Sequence, residues 1–441
     1  MPERERFIRR NYWLGVLNGS LVMGGFSFLN VQAVVAVFLL RLGASPVMVG
    51  LVSALSFGTM MLLPLPLAPL VEQAEHKRRY YWASTTGRVL TLSGLVGAVL
   101  VLRGAPAWLL GGVVVAVLVG YRAALSVGLL PFYEIVAHSV PARRRGGFFA
   151  LRRMVGNVLK VGGAFVVGYL LDEGRSGLGF PGNYAAVFAC GLLLSGAGSL
   201  AFCFVHEPPM HVDRRQMGLV AKLREGLAAS RRDARFRRLI VVQLAGAAMM
   251  LARPFVVVYC LRVLGVLEPG AGRGGRSEGQ AVQVFLLASA VTFLAANPLW
   301  AHVSDRVGNA TLLRAAYLSR VAAAPLALVL PVLPGPALQW VGAVALVVVM
   351  NATRCGVKLG ELNYMLEMAP PEQRPRYVAM WKVALAPMAI GAPLLGGWLA
   401  AACDAYWPCF ALAGAFAVAA AVLALGLEEP RGRSLTVQEA A

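Results

Sequence analysis

Apolar residues run along this chain in blocks of roughly 20–28, separated by short polar stretches. A helix needs about 20 apolar residues to cross a bilayer. The pattern predicts twelve spans, at 13–40, 47–71, 80–102, 107–134, 147–171, 184–205, 239–261, 281–303, 311–331, 338–363, 376–402 and 406–427. The alternating segments of roughly 10 residues that mark a membrane β-barrel are absent. The expected fold class is therefore an all-α, multi-pass membrane protein. One block breaks the pattern from within: "VVVMNATRCGVKLGELNYML" (347–366) is apolar at both ends and carries Asn351, Arg354, Lys358 and Glu361 in its middle. Their spacings of 3, 4 and 3 put them on one helix face, over about 15 Å at 1.5 Å per residue.

The polar stretches organise the spans. The longest, "HEPPMHVDRRQMGLVAKLREGLAASRRDARFRR" (206–238), divides them six and six. This predicts a bundle over 1–206, a cytoplasmic central loop over 207–238, a second bundle over 239–430 and a tail over 431–441. Within the loop, "MGLVAKLREGLAAS" has helical periodicity and is expected to lie along the membrane surface. "HEPPMH" does not suit a metal: its histidines are five apart and two prolines break the helix that a zinc-protease motif needs. The halves also repeat. "RGGFFALRRMVGNVLKVGGAFVVGYLL" (145–171) aligns without gaps to "RPRYVAMWKVALAPMAIGAPLLGGWLA" (374–400), so that Arg145 falls on Arg374, Phe148 on Tyr377, Gly162 on Gly391 and Gly168 on Gly397. "LAPLVEQAEHKRR" (67–79) pairs with "WAHVSDRVGNATL" (300–312), which puts Glu72 on Asp305. Two parallel six-span repeats imply two pseudo-symmetric six-helix bundles with a site between them near the membrane midplane.

Charge refines the topology. The 41 Lys and Arg exceed the 21 Asp and Glu, for a net charge of +20. In a soluble protein that excess would suggest nucleic acid. Here 58% of residues are hydrophobic and only 14% charged, and basic residues of membrane proteins collect on the cytoplasmic side. With the termini inside, the outward loops hold only Arg41, Arg103, Arg175, Arg262, Arg273 and Arg276. Both termini are expected in the cytoplasm and the chain in the inner cell membrane, with the lipid bilayer and no nucleic acid as its surroundings. The basic start, "MPERERFIRR", leads into an apolar run too long for a cleaved signal and reads as a retained span. Six cysteines form no CxxC and no disulfide framework; Cys403 and Cys409 flank one short loop and are expected as free thiols.

With twelve spans, six plus six, the chain resembles the major facilitator superfamily of secondary transporters. That family's motif after span 2, roughly G-x-x-x-D-R-x-G-R/K, often recurs after span 8. Here Ala301-His302-Val303-Ser304-Asp305-Arg306-Val307-Gly308-Asn309 keeps the Asp, Arg and Gly. The first-half copy is poorer, with Ala68, Glu72, Gln73 and Glu75 before Lys77-Arg78-Arg79. The resemblance implies gating roles for Glu72, Asp305 and Arg306. Of the R-x-x-Q-G motif found in many proton-coupled members, Arg122 to Ser126 keeps only Arg122. The G-P-x-x-G-G motif of antiporters is nearest at Ala392 to Gly397, in span 11 rather than span 5.

The resemblance also implies that spans 1, 4, 7 and 10 line a central cavity, with span 5 at its edge. A charge at the bilayer centre costs about 2.5–3.5 kcal/mol, so charged residues there face protein or water. The expected substrate-binding set is Asn30, Gln32, Arg122, Lys160, Arg253, Asn351, Arg354 and Lys358. Arg88, near the inner end of span 3, is expected to snorkel. At midplane depth the ionisable residues are basic, which suits an anion or zwitterion bearing carboxylate or phosphate. Glu134 and Glu361, near the cytoplasmic ends of spans 4 and 10, are the candidates for proton coupling; exchange against a counter-anion would need neither. Histidines lie away from mid-span, and DxD, HExxH, GxSxG and Walker A motifs are absent. The expectation is a monomeric secondary transporter of a small organic solute working by alternating access, without catalytic residue, metal or cofactor. A proton-coupled multidrug exporter is the alternative, given 15 Met, and a non-transporting receptor or enzyme is the reading from another class.

Overall fold

A helix is the one open-chain way to satisfy every backbone N–H and C=O inside lipid, and the chain folds accordingly. The computed structural model describes residues 2–207, 233–267, 277–370 and 373–430, apart from the side chains of residues 2–4, 72, 142, 375 and 376. The helix expected within the central loop lies outside these residues. Among the described residues there is no strand, and eleven helices are long and apolar enough to span a membrane.

The first predicted span is the exception, because it is broken. Helix α1 (Pro2–Gly25) takes in the basic start and ends at the Gly24-Gly25 pair. Helix α2 (Val31–Arg41) opens with a π-turn over Val31–Val35. Asn30 lies between them in an extended conformation and caps α2: its Oδ1 accepts the N–H groups of Gln32 and Ala33, each at 3.0 Å. The other spans are α3 (Pro46–Val71), α4 (Arg78–Val101), α5 (Ala107–Ser139), α6 (Arg143–Leu171), α7 (Gly182–Cys203), α8 (Ala234–Val263), α9 (Glu278–Val307), α10 (Asn309–Val332), α11 (Pro336–Met368), α12 (Tyr377–Ala402) and α13 (Trp407–Leu425). Helix α8, the counterpart of the first span in the second repeat, is also interrupted: its α-helix stops at Ala247 and continues through 3-10 turns over Ala248–Leu251 and Arg253–Phe255. Pro254, which has no N–H to give the ladder, lies in that interruption.

Contacts divide the chain into two compact units, Met1–Gln216 with Val266–Ala290, and Met217–Gly265 with Val291–Ala441. In the first, Tyr81, Phe132, Phe148 and Phe202 form the core at one end. Polar stitches join α1 to chain far downstream. Asn11 exchanges hydrogen bonds with His206, at 2.8 and 3.0 Å, and Asn18 Nδ2 donates to Tyr81 Oη at 2.9 Å and to the Gly198 carbonyl at 2.8 Å. The Arg152 side chain crosses Gly19 so closely that a Cβ there would have to displace it; its Nη2 donates to Asn18 Oδ1 at 3.1 Å. The start of α9 packs with this unit. Glu278 pairs with Arg41 at 3.4 Å and accepts from Tyr184 Oη at 2.6 Å, while Ser277 donates to Asp172 at 2.9 Å.

The second unit is cored by Phe236, Leu313, Tyr317, Tyr364, Met365 and neighbours. Each unit carries the same clamp. Glu207 accepts the N–H groups of Lys77 and Arg78, at 2.8 and 2.9 Å, at the start of α4. Glu429 accepts those of Asn309 and Ala310, at 3.3 and 2.9 Å, at the start of α10. A carboxylate there satisfies N–H groups that have no partner within the helix and opposes the positive end of its dipole. Gly308 turns the chain into α10 with φ +91°, and Glu429 occupies the space a Cβ would need. Outward faces bear large apolar residues such as Leu90, Trp108, Leu193 and Val332, all well exposed. So large an apolar surface suits lipid rather than water.

Candidate functional site

In the second unit the interruption of α8 and the polar face of α11 come together. Arg253 lies at the interruption, within electrostatic reach of Arg354 and of Arg320 on α10. Lys358 interacts with Arg354, Arg253 and Glu361. Arg354 is half-buried, its Nε is buried without a hydrogen-bond partner, and its guanidinium sits 5.9 Å from the centre of the Phe293 ring. Glu361 accepts a 2.6 Å hydrogen bond from Tyr317 Oη. Asn351 Nδ2 donates to the Val347 carbonyl one turn back, at 2.9 Å. Trp300 Nε1 donates to the Ala352 carbonyl at 2.8 Å and fixes the helix that carries the stripe.

Arg320 is the residue that sequence reasoning missed. It stands midway along its span, so the signal, a charge inside an apolar run, was present in the sequence. In the structure it is 7% exposed and its Nη1 donates to the Gly246 carbonyl at 3.1 Å, at the interruption of α8. A carbonyl freed from the helical ladder needs such a donor, because leaving it unmet costs about 1–3 kcal/mol. A second buried amide lies near the interruption: Gln243 takes the Trp381 indole N–H on its oxygen and leaves its Nε2 without a partner.

Glu361 thus interacts with Arg320 and Lys358, while Arg253 repels Arg354, Arg320 and Lys358. Like charges 4 Å apart repel by about 4 kcal/mol at an effective dielectric of 20. A cluster of this sign is held together by the fold and is relieved by an anion. Arg354 offers a planar fork suited to a carboxylate or phosphate.

In the first unit, Arg122 of α5 lies among soft and aromatic groups: its Nη1 is 3.8 Å from the Met60 sulfur, and Phe26 and Tyr121 present their rings at 5.8 and 5.9 Å. Phe26 belongs to the break between α1 and α2, so the break and Arg122 are adjacent. Lys160 Nζ donates to Asn157 at 3.3 Å, and its carbonyl accepts from Ser27 Oγ at 3.2 Å. Asn30 and Gln32 lie at the start of α2, where Asn30 Oδ1 is taken up in capping. Arg88 does not snorkel. It is 4% exposed and donates to Ser199 and Ser84 at 2.9 and 2.8 Å, because a serine one turn back on α4 and another on α7 give it an interior anchor.

The remaining candidates are peripheral. Glu134 forms a 3.1 Å ion pair with Lys77 and has 41% of its side chain exposed. Asp305 and Arg306 are exposed on the last turn of α9. Glu72 ends the helix Pro64–Glu72, and its side chain lies outside the described residues. Beside Asp305, a buried network has Ser304 Oγ donating to Asn309 Oδ1 at 2.7 Å, with Asn363 reaching Ser304 at 3.4 Å. The signal for the two clamps was present in the sequence: Glu207 and Glu429 each precede a proline just after the last span of their half. Among the described residues no three His, Cys, Asp or Glu gather as a metal set would.

The described residues are all-helical, and the family and structures they match are those of transporters rather than enzymes. The Major Facilitator Superfamily model matches residues 16–357 and 279–440, and the chain belongs to that family of secondary transporters. Solved structures share the fold at low identity. A point mutant of the nucleoside transporter NupG aligns with a TM-score of 0.69 at 13% identity, over 96% of this chain and 100% of that one. A D-xylose-proton symporter aligns at 0.67 and 15%, over 97% and 99%. A bacterial homologue of the iron transporter ferroportin, in its inward-facing state, aligns at 0.67 and 14%, over 95% and 98%. No curated protein matches the sequence significantly.

Proposed function

We propose that this chain moves a small organic anion or zwitterion across the inner cell membrane by alternating access, with both termini in the cytoplasm. The observation that carries this reading is the cluster around Arg354, in which Arg253, Arg320, Arg354 and Lys358 are linked by mutual repulsion and Arg354 Nε has no hydrogen-bond partner. Arg354 and Arg253 take the substrate's negative group, Asn351 and Lys358 lie along the same stripe, and Arg320 braces the interruption beside them. Arg122, with Lys160, Asn30 and Gln32, is the candidate binding set within the first unit. The interrupted first and seventh spans support the assignment, since broken helices at corresponding positions of two repeats mark transporter binding sites.

The test is the melting temperature of purified protein against a panel of carboxylates, phosphates, zwitterions and lipophilic cations, in wild type, Arg354→Ala and Arg122→Ala. A ligand at 100 times its dissociation constant adds about 2.7 kcal/mol. Anions or zwitterions are expected to stabilise the wild type and to lose that effect in Arg354→Ala. Both variants are expected to fold, insert and lose flux of whichever ligand stabilises the wild type. Stabilisation by lipophilic cations alone, equal in all three proteins, would overturn the anion reading and favour a multidrug exporter, for which the Met60, Phe26 and Tyr121 surroundings of Arg122 are suited.

A further inference from the structure

Away from both clusters, a groove of ≈ 540 Å³ opens on the first unit between the starts of α1 and α6, and Arg9, Tyr12, Trp13, Arg143 and Arg144 line it. The two helices run side by side from this end: Gly15 packs on Phe148 and Gly156 on Met23. All three arginines are exposed, and none has an ion-pair or hydrogen-bond partner among the described residues. Glu5, one turn before Arg9, is exposed and pairs with none of them, and the first turn of α6 holds no acid. The N–H groups at that helix start add positive potential at the same rim.

Beneath the rim the surface changes character. Trp13 and Leu17 on α1, and Met154 and Val158 on α6, are 55, 46, 57 and 60% exposed. Gly147, Met154 and Val158 fall on one face of α6. The eleven steps from Gly147 to Val158 rise about 16 Å, close to the ~15 Å that half of a ~30 Å hydrocarbon core provides. Trp and Tyr at the top of such a path are residues that settle at the headgroup level. A free phosphate would meet only the rim, whereas a phospholipid would meet the rim with its headgroup and the apolar path with an acyl chain. We propose that this groove binds an anionic phospholipid, with Arg9, Arg143 and Arg144 holding the headgroup phosphate and the Trp13–Leu17 and Met154–Val158 faces holding its chain. This proposal does not depend on the substrate reading, because it uses none of the same residues.

The experiment is native mass spectrometry of the full purified chain titrated with phosphatidylglycerol, phosphatidylcholine or inorganic phosphate. Wild type is expected to bind phosphatidylglycerol at least tenfold more tightly than phosphatidylcholine. Near a membrane surface each arginine contributes about fivefold. Arg9→Gln, Arg143→Gln and Arg144→Gln should each weaken phosphatidylglycerol by about that factor, and all three together on the order of a hundredfold. Arg103→Gln, an exposed arginine elsewhere on the unit, should leave binding unchanged. If the triple variant does not fold, the single variants are read alone. Equal retention of the two lipids, wild-type affinity in the variants, or displacement of phosphatidylglycerol by millimolar inorganic phosphate would each overturn the proposal; the last would make the groove a site for free phosphate.

Discussion

Glu361 lies beside Arg320 and Lys358, and its Tyr317 hydrogen bond gives it a fixed place. Glu361→Gln keeps an acceptor for that hydroxyl and removes the charge. If Glu361 carries the coupled proton, the variant should exchange substrate across a vesicle membrane but no longer accumulate it on a pH gradient. Accumulation at wild-type level would assign coupling to exchange with a counter-anion. At this scale the sequence was legible where chemistry is rare and opaque where position decides. A charge inside an apolar run is conspicuous, so Arg122, Arg253, Arg354 and Lys358 could be read from the chain. Arg152 could not, because it lies in the inner part of its span, where an arginine can as readily reach water as protein; Arg320, midway along its span, carried the same signal as the others and was missed. What separates the cases is the partner, the Gly246 carbonyl for Arg320 and Asn18 for Arg152, and partners distant in sequence leave no local trace.

Among the helices, the breaks carry the information. Hydropathy gave the spans within a few residues and missed the interruptions at 26–30 and 248–255, since the residues there are themselves mostly apolar. Gly24-Gly25 and Pro254 were visible, but Gly and Pro are common in membrane helices and do not by themselves mark a break. Asn30 is the strongest local signal, because its side chain replaces the helical acceptors that the turn removes. Asn30→Ala should lower the stability of the purified protein by about 1 kcal/mol, the usual cost of losing such a cap, and Asn30→Asp should restore it. A melting temperature in Asn30→Ala equal to wild type would mean that Asn30 caps nothing that matters to folding, and would favour the ligand-orienting role.

For the whole molecule, the repeat was legible through pairs such as Arg145 with Arg374. The paired clamps Glu207 and Glu429 extend that repeat to the ends of the halves. The basic bias of the loops gives an orientation that one thiol can check. Among the six cysteines, all free, Cys403 alone is exposed, and Cys409 on the same turn is buried. With the termini inside, Cys403 faces outward. A membrane-impermeant maleimide applied to intact cells should therefore label the wild type and not Cys403→Ser. Labelling only after the membrane is opened would invert the topology.

The long-range stitching of α1 bears on how the molecule is made. Asn11 is joined to a residue 195 positions later. At about 5–20 residues per second, the ribosome takes on the order of 10–40 s to reach it. Through that interval α1 has emerged, yet the groups that satisfy Asn11 and Asn18 do not all exist. The first half therefore closes late, when α7 and the residues just after it arrive, and the nascent α1 has to be sheltered until then by the insertion machinery or by the membrane surface.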